Sequence, residues 1–326
     1  MIIEREESWG LLKYDTLEHR FSWVTKNGHD TTPYIREPVV LNADLTMKCN
    51  MACRHCVAKD FEQVFEQAKD LEVSKELIAC INNSPFMVIV ITGGEPLLPE
   101  YEDRLTRLLK EIKNKGLVID TNGTIIPSDS VINTIVQKDV LVRVSWDSGR
   151  PQDEIHFRQA KKKKGDSSRI HFDYYYKKIE TIRYFSSRGI NVAVQSVLSS
   201  KNVISITEMP AKLSELGIKK WYIQRFIPSH RMAKEDNIDI TAGLYEHIVA
   251  NLAAKCLKMN IECVVKKDRR HNSVFLLLGE GDLYTQGEKP RQKIFVGSIK
   301  ENLPRYFDYV SCSDHADRYY GGNDER

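Results

Sequence analysis

Cys49, Cys53 and Cys56 place three thiols within eight residues of the segment KCNMACRHCVAKD, residues 48–60. Seven cysteines are spread over 326 residues, so a cysteine finds partners at both +4 and +7 by chance roughly once in two thousand trials. The spacing therefore marks a ligand set. Structural zinc asks for a fourth Cys or His, usually in a second pair downstream. His55 lies inside the triplet, badly placed to share one metal with both neighbours, and no later C-x-x-C pair follows. A redox dithiol would use only Cys53 and Cys56 and leave Cys49 unexplained. Thiolates also hold iron–sulfur clusters, and three close ones can bind three irons of a cubane, leaving the fourth iron to another ligand. That chemistry fits the spacing best.

Residues of this kind need a frame that holds them. From residue 38 to residue 228, short β-rich apolar runs alternate with amphipathic stretches, the pattern of βα units around a parallel sheet. Six runs recur: VVLNADLT (39–46), MVIVIT (87–92), GLVIDTN (116–122), VLVRVSWD (140–147), INVAVQSVL (190–198) and KKWYIQRFI (219–227). Three of the intervening helical patterns stop at Gly116, Gly189 or Gly217, where a left-handed residue costs little. Upstream, GLLKYDTLEHRFSWVT (10–25) reads as a β-hairpin. Downstream, TAGLYEHIVANLAAKCLKMN reads as a helix, and VFLLLGEGDLYTQ and KIFVGSI as short strands joined by turns. The cysteines follow the first strand, and parallel β/α barrels build their sites at the C-terminal ends of strands.

The second strand ends in Gly93-Gly94-Glu95-Pro96. Two glycines let backbone approach a ligand closely, Glu95 and the strand-end carbonyls can accept bonds from an ammonium group, and Pro96 redirects the chain.

C-x3-C-x2-C after the first strand, with GGEP one βα unit later, resembles the signature of radical S-adenosylmethionine (radical SAM) enzymes. The resemblance implies an α/β fold: a partial (β/α)6 TIM-like barrel over residues 38–232, between an N-terminal β extension (1–37) and a C-terminal α+β accessory region (233–326). It implies a [4Fe–4S] cluster on Cys49, Cys53 and Cys56, with S-adenosylmethionine on the open iron. Cleavage by one electron would give a 5′-deoxyadenosyl radical that takes hydrogen from substrate. Cofactor contacts are expected from Gly93, Gly94, Glu95, Pro96 and the later strand ends. Asn122 follows the third strand; Ser145 and Asp147 would face the ribose or substrate, and Arg158 the methionine carboxylate. Gln195 and Ser196 point either into the barrel or toward its helices. Gln224 and Arg225, ending the sixth strand, are substrate-contact candidates. Members often carry an aromatic residue before the third cysteine, where this chain has His55.

SVFLLLGEGDLYTQ…KIFVGSI resembles the strand pair of SPASM and twitch extensions in peptide-modifying members, without the close cysteine pairs of an auxiliary cluster. Cys256, Cys263 and Cys312 are then hydrogen-atom-donor candidates, with burial as their default role. Cys80 reads as a small buried hydrophobe. Tyr306, Phe307, Tyr309, His315, Tyr319 and Tyr320 cluster near the tail, to pack the chain end or to form a lid. A peptide or protein is the expected substrate, for epimerisation or cross-linking. A nucleotide or small metabolite is the alternative. A flavodoxin or ferredoxin is the expected electron donor.

Composition narrows the rest. Hydrophobic residues at 41% and charged residues at 29% exclude a disordered chain, and no apolar run is long enough to span a bilayer. MIIEREESWG has no basic region leading an apolar core, so a cytoplasmic location with reduced thiols is expected. A formal charge of +3 gives a weak field for polyanions, so nucleic acid is not an expected partner. The run Lys161–Lys164 reads as a solvated loop tip, with phosphates or an acidic peptide as its alternative partners; a zinc-stabilised protein binding nucleic acid through it is the rival from another class.

Overall fold

The computed structural model describes residues 1–26, 34–56, 70–162, 167, 169–226, 238–266, 273–286, 293–301, 306–308 and 310–320. Strands β1 (Ile2–Glu7), β2 (Gly10–Asp15) and β3 (Arg20–Thr25) form an antiparallel three-stranded meander, one strand more than the expected hairpin.

The six apolar runs become β4 (Val40–Thr46), β5 (Val88–Gly93), β6 (Gly116–Thr121), β7 (Leu141–Ser145), β8 (Val192–Leu198) and β9 (Lys220–Arg225), all parallel and adjacent in that order. Parallel neighbours need crossovers. Between β4 and β9 these carry α1 (Lys75–Asn83), α2 (Glu102–Glu111), α3 (Asp129–Gln137), α4 (Pro151–Phe157), α5 (Ile170–Ser187) and α6 (Met209–Glu215). The start of α1 is capped by Ser74, whose hydroxyl accepts the Leu77 N–H at 3.1 Å. The sheet continues at both edges. Helix α7 (Ala242–Lys258) leads into β10 (Glu262–Val265), parallel to β9, while β11 (Phe275–Leu278) joins β4 in parallel and carries β12 (Asp282–Gln286) and β13 (Lys293–Ser298) antiparallel. Nothing pairs β10 with the β13 edge among the described residues, so the barrel is open. The strands expected in the accessory region thus extend the barrel's own sheet.

A period of two sorts the side chains between two cores. Leu41, Ala43, Ile89, Ile91, Ile119 and Val142 pack outward against the helices. Val40, Val88, Val90, Val118, Leu141 and Ala193 point inward and join Leu12, Tyr14 and Phe21 of the meander and Ala316 of α8 (Cys312–Tyr320). His315 fixes that helix: its Nε2 accepts the Val39 N–H at 3.0 Å and its Nδ1 donates to Ser273 O at 2.9 Å. Val39 and Ser273 lie just before β4 and β11, so the described part of the tail closes the N-terminal end of the barrel and is no lid over the strand C-termini. Tyr309 and the side chain of Tyr320 lie outside the described residues, as do Lys163 and Lys164 of the basic run. Lys161 and Lys162 are exposed. No helix among the described residues is long and apolar enough to cross a membrane.

Candidate active site at the strand C-termini

The cysteine loop leaves β4 and is gripped from two sides. On one side it pairs antiparallel with the segment after α4: Ala52 N–H donates to Gln159 O (2.6 Å), Arg54 N–H to Phe157 O (2.7 Å) and Lys161 N–H to Asn50 O (2.9 Å). On the other, Gly94 N–H donates to Thr46 O (2.5 Å) and Glu95 N–H to Lys48 O (2.8 Å). This second grip explains the glycines. A Cβ on Gly94 would lie 2.0 Å from Lys48 O, and one on Gly93, at φ +115°, 2.3 Å from Thr46 O. Their close approach is to the backbone of the cysteine loop, whereas the sequence suggested a ligand. Gly94→Ala should therefore destabilise the fold by about 1–3 kcal/mol and lower the iron retained after reconstitution, as read by chemical denaturation and iron assay.

Glu95 differs from expectation in a similar way. It is wholly buried; Oε1 accepts from Leu97 N–H (3.1 Å) and the Thr121 hydroxyl (2.7 Å), and Oε2 from Asn122 N–H (2.8 Å). Burial pushes its carboxyl up to about 7 against those bonds. The carboxylate ties the end of β5 to the end of β6 and does not stand open toward an ammonium. Pro96 is buried beside it.

Asn122 reaches the loop. Its Nδ2 donates to Asn50 Oδ1 at 2.8 Å and lies 3.8 Å from Cys49 Sγ, which also accepts the Met51 N–H at 3.3 Å. Asn50 Nδ2 in turn donates to the Thr124 hydroxyl (2.8 Å). The three thiols are half-buried and free of disulfides. Burial pushes Cys49 up to about 11 and Cys53 up to about 12, the latter opposed by the charge of Arg158. Among the described residues no three His, Cys, Asp or Glu side chains are placed to hold a single ion. The donor set suits an iron–sulfur cluster: three thiols on one loop, with N–H groups directed at a sulfur, which tune such clusters.

Near Cys53 lies a buried charged chain. Asp147, just past β7, accepts from Arg158 Nε (2.6 Å) and NH2 (3.2 Å) and from Val197 N–H (2.9 Å), and faces His55 Nε2 at 3.3 Å. Burial alone would raise its carboxyl, but Arg158 and His55 hold it below the usual carboxylate range. Glu154 accepts Asp147 N–H on Oε2 (2.7 Å) and pairs with Lys178 of α5 through Oε1. Asp147, expected toward the ribose or substrate, and Arg158, expected toward the methionine carboxylate, pair with each other. His55 packs its ring against Phe157 at 5.3 Å and 83°.

The other candidates separate. Ser145 is half-buried at the end of β7, opposite Gln195 of β8. Gln195 turns inward and accepts from Lys266 Nζ (3.0 Å), while Ser196 turns outward and accepts from Trp221 Nε1 (2.8 Å). Arg225 pairs with Asp239 at 3.1 Å. Cys256 of α7 is fully buried and neighbours Cys263 of β10 in the outer core; Cys312 donates to Ile35 O at the N-terminal end. None of these three lies by the cysteine loop, and Cys80 packs partly buried on α1. Glu154 and Lys178 went unread in the sequence. Glu154 sits four residues before Arg158 and seven after Asp147, the one trace of its role.

A family model described as the radical SAM superfamily matches residues 44–203. Among curated proteins, the AdoMet-dependent heme synthase of Oleidesulfovibrio alaskensis is 23% identical over 63% of this chain and 50% of that protein. The antilisterial bacteriocin subtilosin biosynthesis protein AlbA of Bacillus subtilis is 27% identical over 60% of this chain and 40% of that protein. An S-adenosylmethionine-dependent nucleotide dehydratase of a Fibrobacter species is 22% identical over 77% and 78%. The chain spans half or less of the length of the first two relatives. Among solved structures, Streptococcus suis SuiB bound to S-adenosylmethionine matches with a TM-score of 0.60 at 12% identity, over 98% of this chain and 88% of that one. SuiB bound to precursor peptide SuiA matches with a TM-score of 0.59 at 12% identity over the same shares, 98% and 88%. At such identity the likeness is one of fold.

Proposed function

The chain belongs to the radical SAM superfamily, and from that premise we propose that it modifies a peptide or protein, with Cys49, Cys53 and Cys56 holding the cluster. When bound, the [4Fe–4S] cluster and S-adenosylmethionine supply one-electron cleavage of a sulfonium C–S bond and a 5′-deoxyadenosyl radical that takes hydrogen from substrate. The chain's own residues do the holding. The double grip on the loop presents three thiols from one short segment, Asn122 and the Met51 amide direct N–H groups at Cys49, and Arg158, held by Asp147, lies near Cys53. The cation of Arg158 near Cys53 opposes the upward push of burial on that thiol. An external one-electron donor of flavodoxin or ferredoxin type completes the balance.

The observation that carries this reading is the clamp between Gly93–Gly94 and the cysteine loop, which sets the thiols at the strand C-termini. A peptide substrate is supported by the similarity to AlbA and by the shared fold with SuiB. The nucleotide dehydratase, similar over 77% of this chain, supports nucleotide chemistry as a second reading. The test begins with anaerobically reconstituted protein, dithionite and S-adenosylmethionine, with 5′-deoxyadenosine measured by chromatography. Brown protein with about four irons per chain and 5′-deoxyadenosine formation are expected; colourless protein holding one zinc and releasing none would overturn the proposal. Incubation with a short peptide encoded beside the gene, or with nucleoside triphosphates, then divides the two substrate readings by mass change.

A further inference from the structure

The inner face of the sheet carries a second polar constellation, away from the cysteine loop. A cavity of about 90 Å³ lies where the barrel interior meets the meander and α8. Part of its wall is aliphatic, formed by Val40, Val88, Val90 and Val118, and part is charged: Arg143 and Lys266 lie over the ring of Tyr222, Arg318 lines the same space, and Glu262 is there paired with Arg20 and Lys220. Arg143 is paired with Asp120, at 2.6 and 2.8 Å. Lys266 differs. Its Nζ donates to the neutral amide oxygen of Gln195 at 3.0 Å, and no carboxylate lies within ion-pair distance of it among the described residues. Burial, then the nearby charges of Arg143 and Arg318, hold its ammonium well below the ordinary lysine range, with Asp120 opposing. His19, 7% exposed on the meander, also lines the cavity; its Nδ1 bonds to the Tyr14 hydroxyl at 3.0 Å, and its Nε2 has no hydrogen-bond partner among the described residues.

Left to themselves these groups oppose folding. A lysine buried against two arginines, with Asp120 already engaged by Arg143 and Glu262 of the cavity wall by Arg20 and Lys220, is disfavoured as an ammonium in a low-dielectric space. An anion entering the cavity reverses the balance, because each cation then gains a charge-assisted hydrogen bond. The valines confine what can carry that anion: room beside the cations is apolar and small, sufficient for a carboxylate and a few carbons but not for a nucleotide.

We propose that this cavity binds a carboxylate on a short aliphatic stem, with the head group between Lys266 and Arg143 and the stem against Val90 and Val118. The inference stands on the cavity and holds whether or not the proposed peptide chemistry is right. A free short-chain acid and the glutamate side chain of a peptide share this chemistry.

Ligand-observed NMR and calorimetry on the full chain decide it, with butyrate, a glutamate-containing hexapeptide and inorganic phosphate as probes. Butyrate or the hexapeptide should bind the wild type, and whichever binds tighter identifies the source. Lys266→Met should weaken that binding by about tenfold or more while leaving the melting temperature unchanged or higher, since it removes a buried charge that lacks a partner. Val264→Phe, which fills the same cavity from β10, should abolish binding independently. Absence of binding by both carboxylates, or unchanged affinity in either variant, would overturn the site. Phosphate binding as tightly as butyrate would overturn the requirement for an aliphatic stem.

Discussion

Replacing Cys53 with alanine is expected to strip the protein of its cluster without unfolding it. Reconstituted wild type should carry about four irons per chain and the variant fewer than about one, with loss of thiolate-to-iron absorption and no detectable 5′-deoxyadenosine. The fold should persist because the loop is held by backbone on both sides of residue 53: Ala52 N–H to Gln159 O, Arg54 N–H to Phe157 O, and the Gly94 and Glu95 amides to the stem. None of those bonds uses the thiol. Cys256→Ala is the matching control. Its side chain is fully buried in the outer core, away from the cysteine loop, so that variant should lose some stability by leaving a small cavity and keep its iron. Metal analysis, absorption and urea denaturation of the two variants separate ligand from core residue. Full iron content in Cys53→Ala would sink the assignment of that thiol.

The periodicity of the sequence made the sheet legible. Each of the six runs reads as a strand because a strand covered on both faces is apolar almost throughout, and strands β4 to β9 fall within them, except that β5 runs one residue past its run, to Gly93. The seventh parallel strand, β10, was lost because its residues Glu262–Val265 are few and mixed, with Glu262 on the inner face meeting Lys220 and Arg20. Spacing was enough to single out the cysteines. It was not enough for Glu95, Asp147 and Arg158, whose side chains were read as facing a ligand. Glu95 and Asp147 follow strand ends and Arg158 follows α4, and the sequence does not say whether the partner of such a charge is a cofactor or another buried charge of the same chain. Glu95 is met by three donors from two neighbouring loops, and Asp147 by an arginine eleven residues away. Such pairings depend on which loops the fold brings together. They have no period.

Lys178→Met should be among the most destabilising single substitutions in the chain, costing about 3–5 kcal/mol. Lys178 and Glu154 are each 1% exposed and pair with one another. Removing the ammonium strands the carboxylate, with the Asp147 amide still bonded to Oε2 and Arg158 Nε at 3.9 Å, a distance too long for a good hydrogen bond. Burial already raises the Glu154 carboxyl, opposed first by Lys178, so the variant should raise it further. A carboxyl titrating higher in the folded than in the unfolded chain contributes stability at low pH and loses it as pH rises through the folded value. The deficit of Lys178→Met relative to wild type should therefore stay constant above the raised titration of Glu154 in the variant and narrow as pH falls through it, on the order of 1 kcal/mol per unit. Replacing both partners, Glu154→Gln with Lys178→Met, leaves neither charge of this pair stranded and should recover most of the loss, as urea denaturation of the four proteins in a double-mutant cycle would show. Because Glu154 also anchors the Asp147 amide, and Asp147 orients Arg158 and His55, the single variant should lose iron more readily than the double. A double variant no more stable than the single would mean that the pair is not what holds this end of the barrel together.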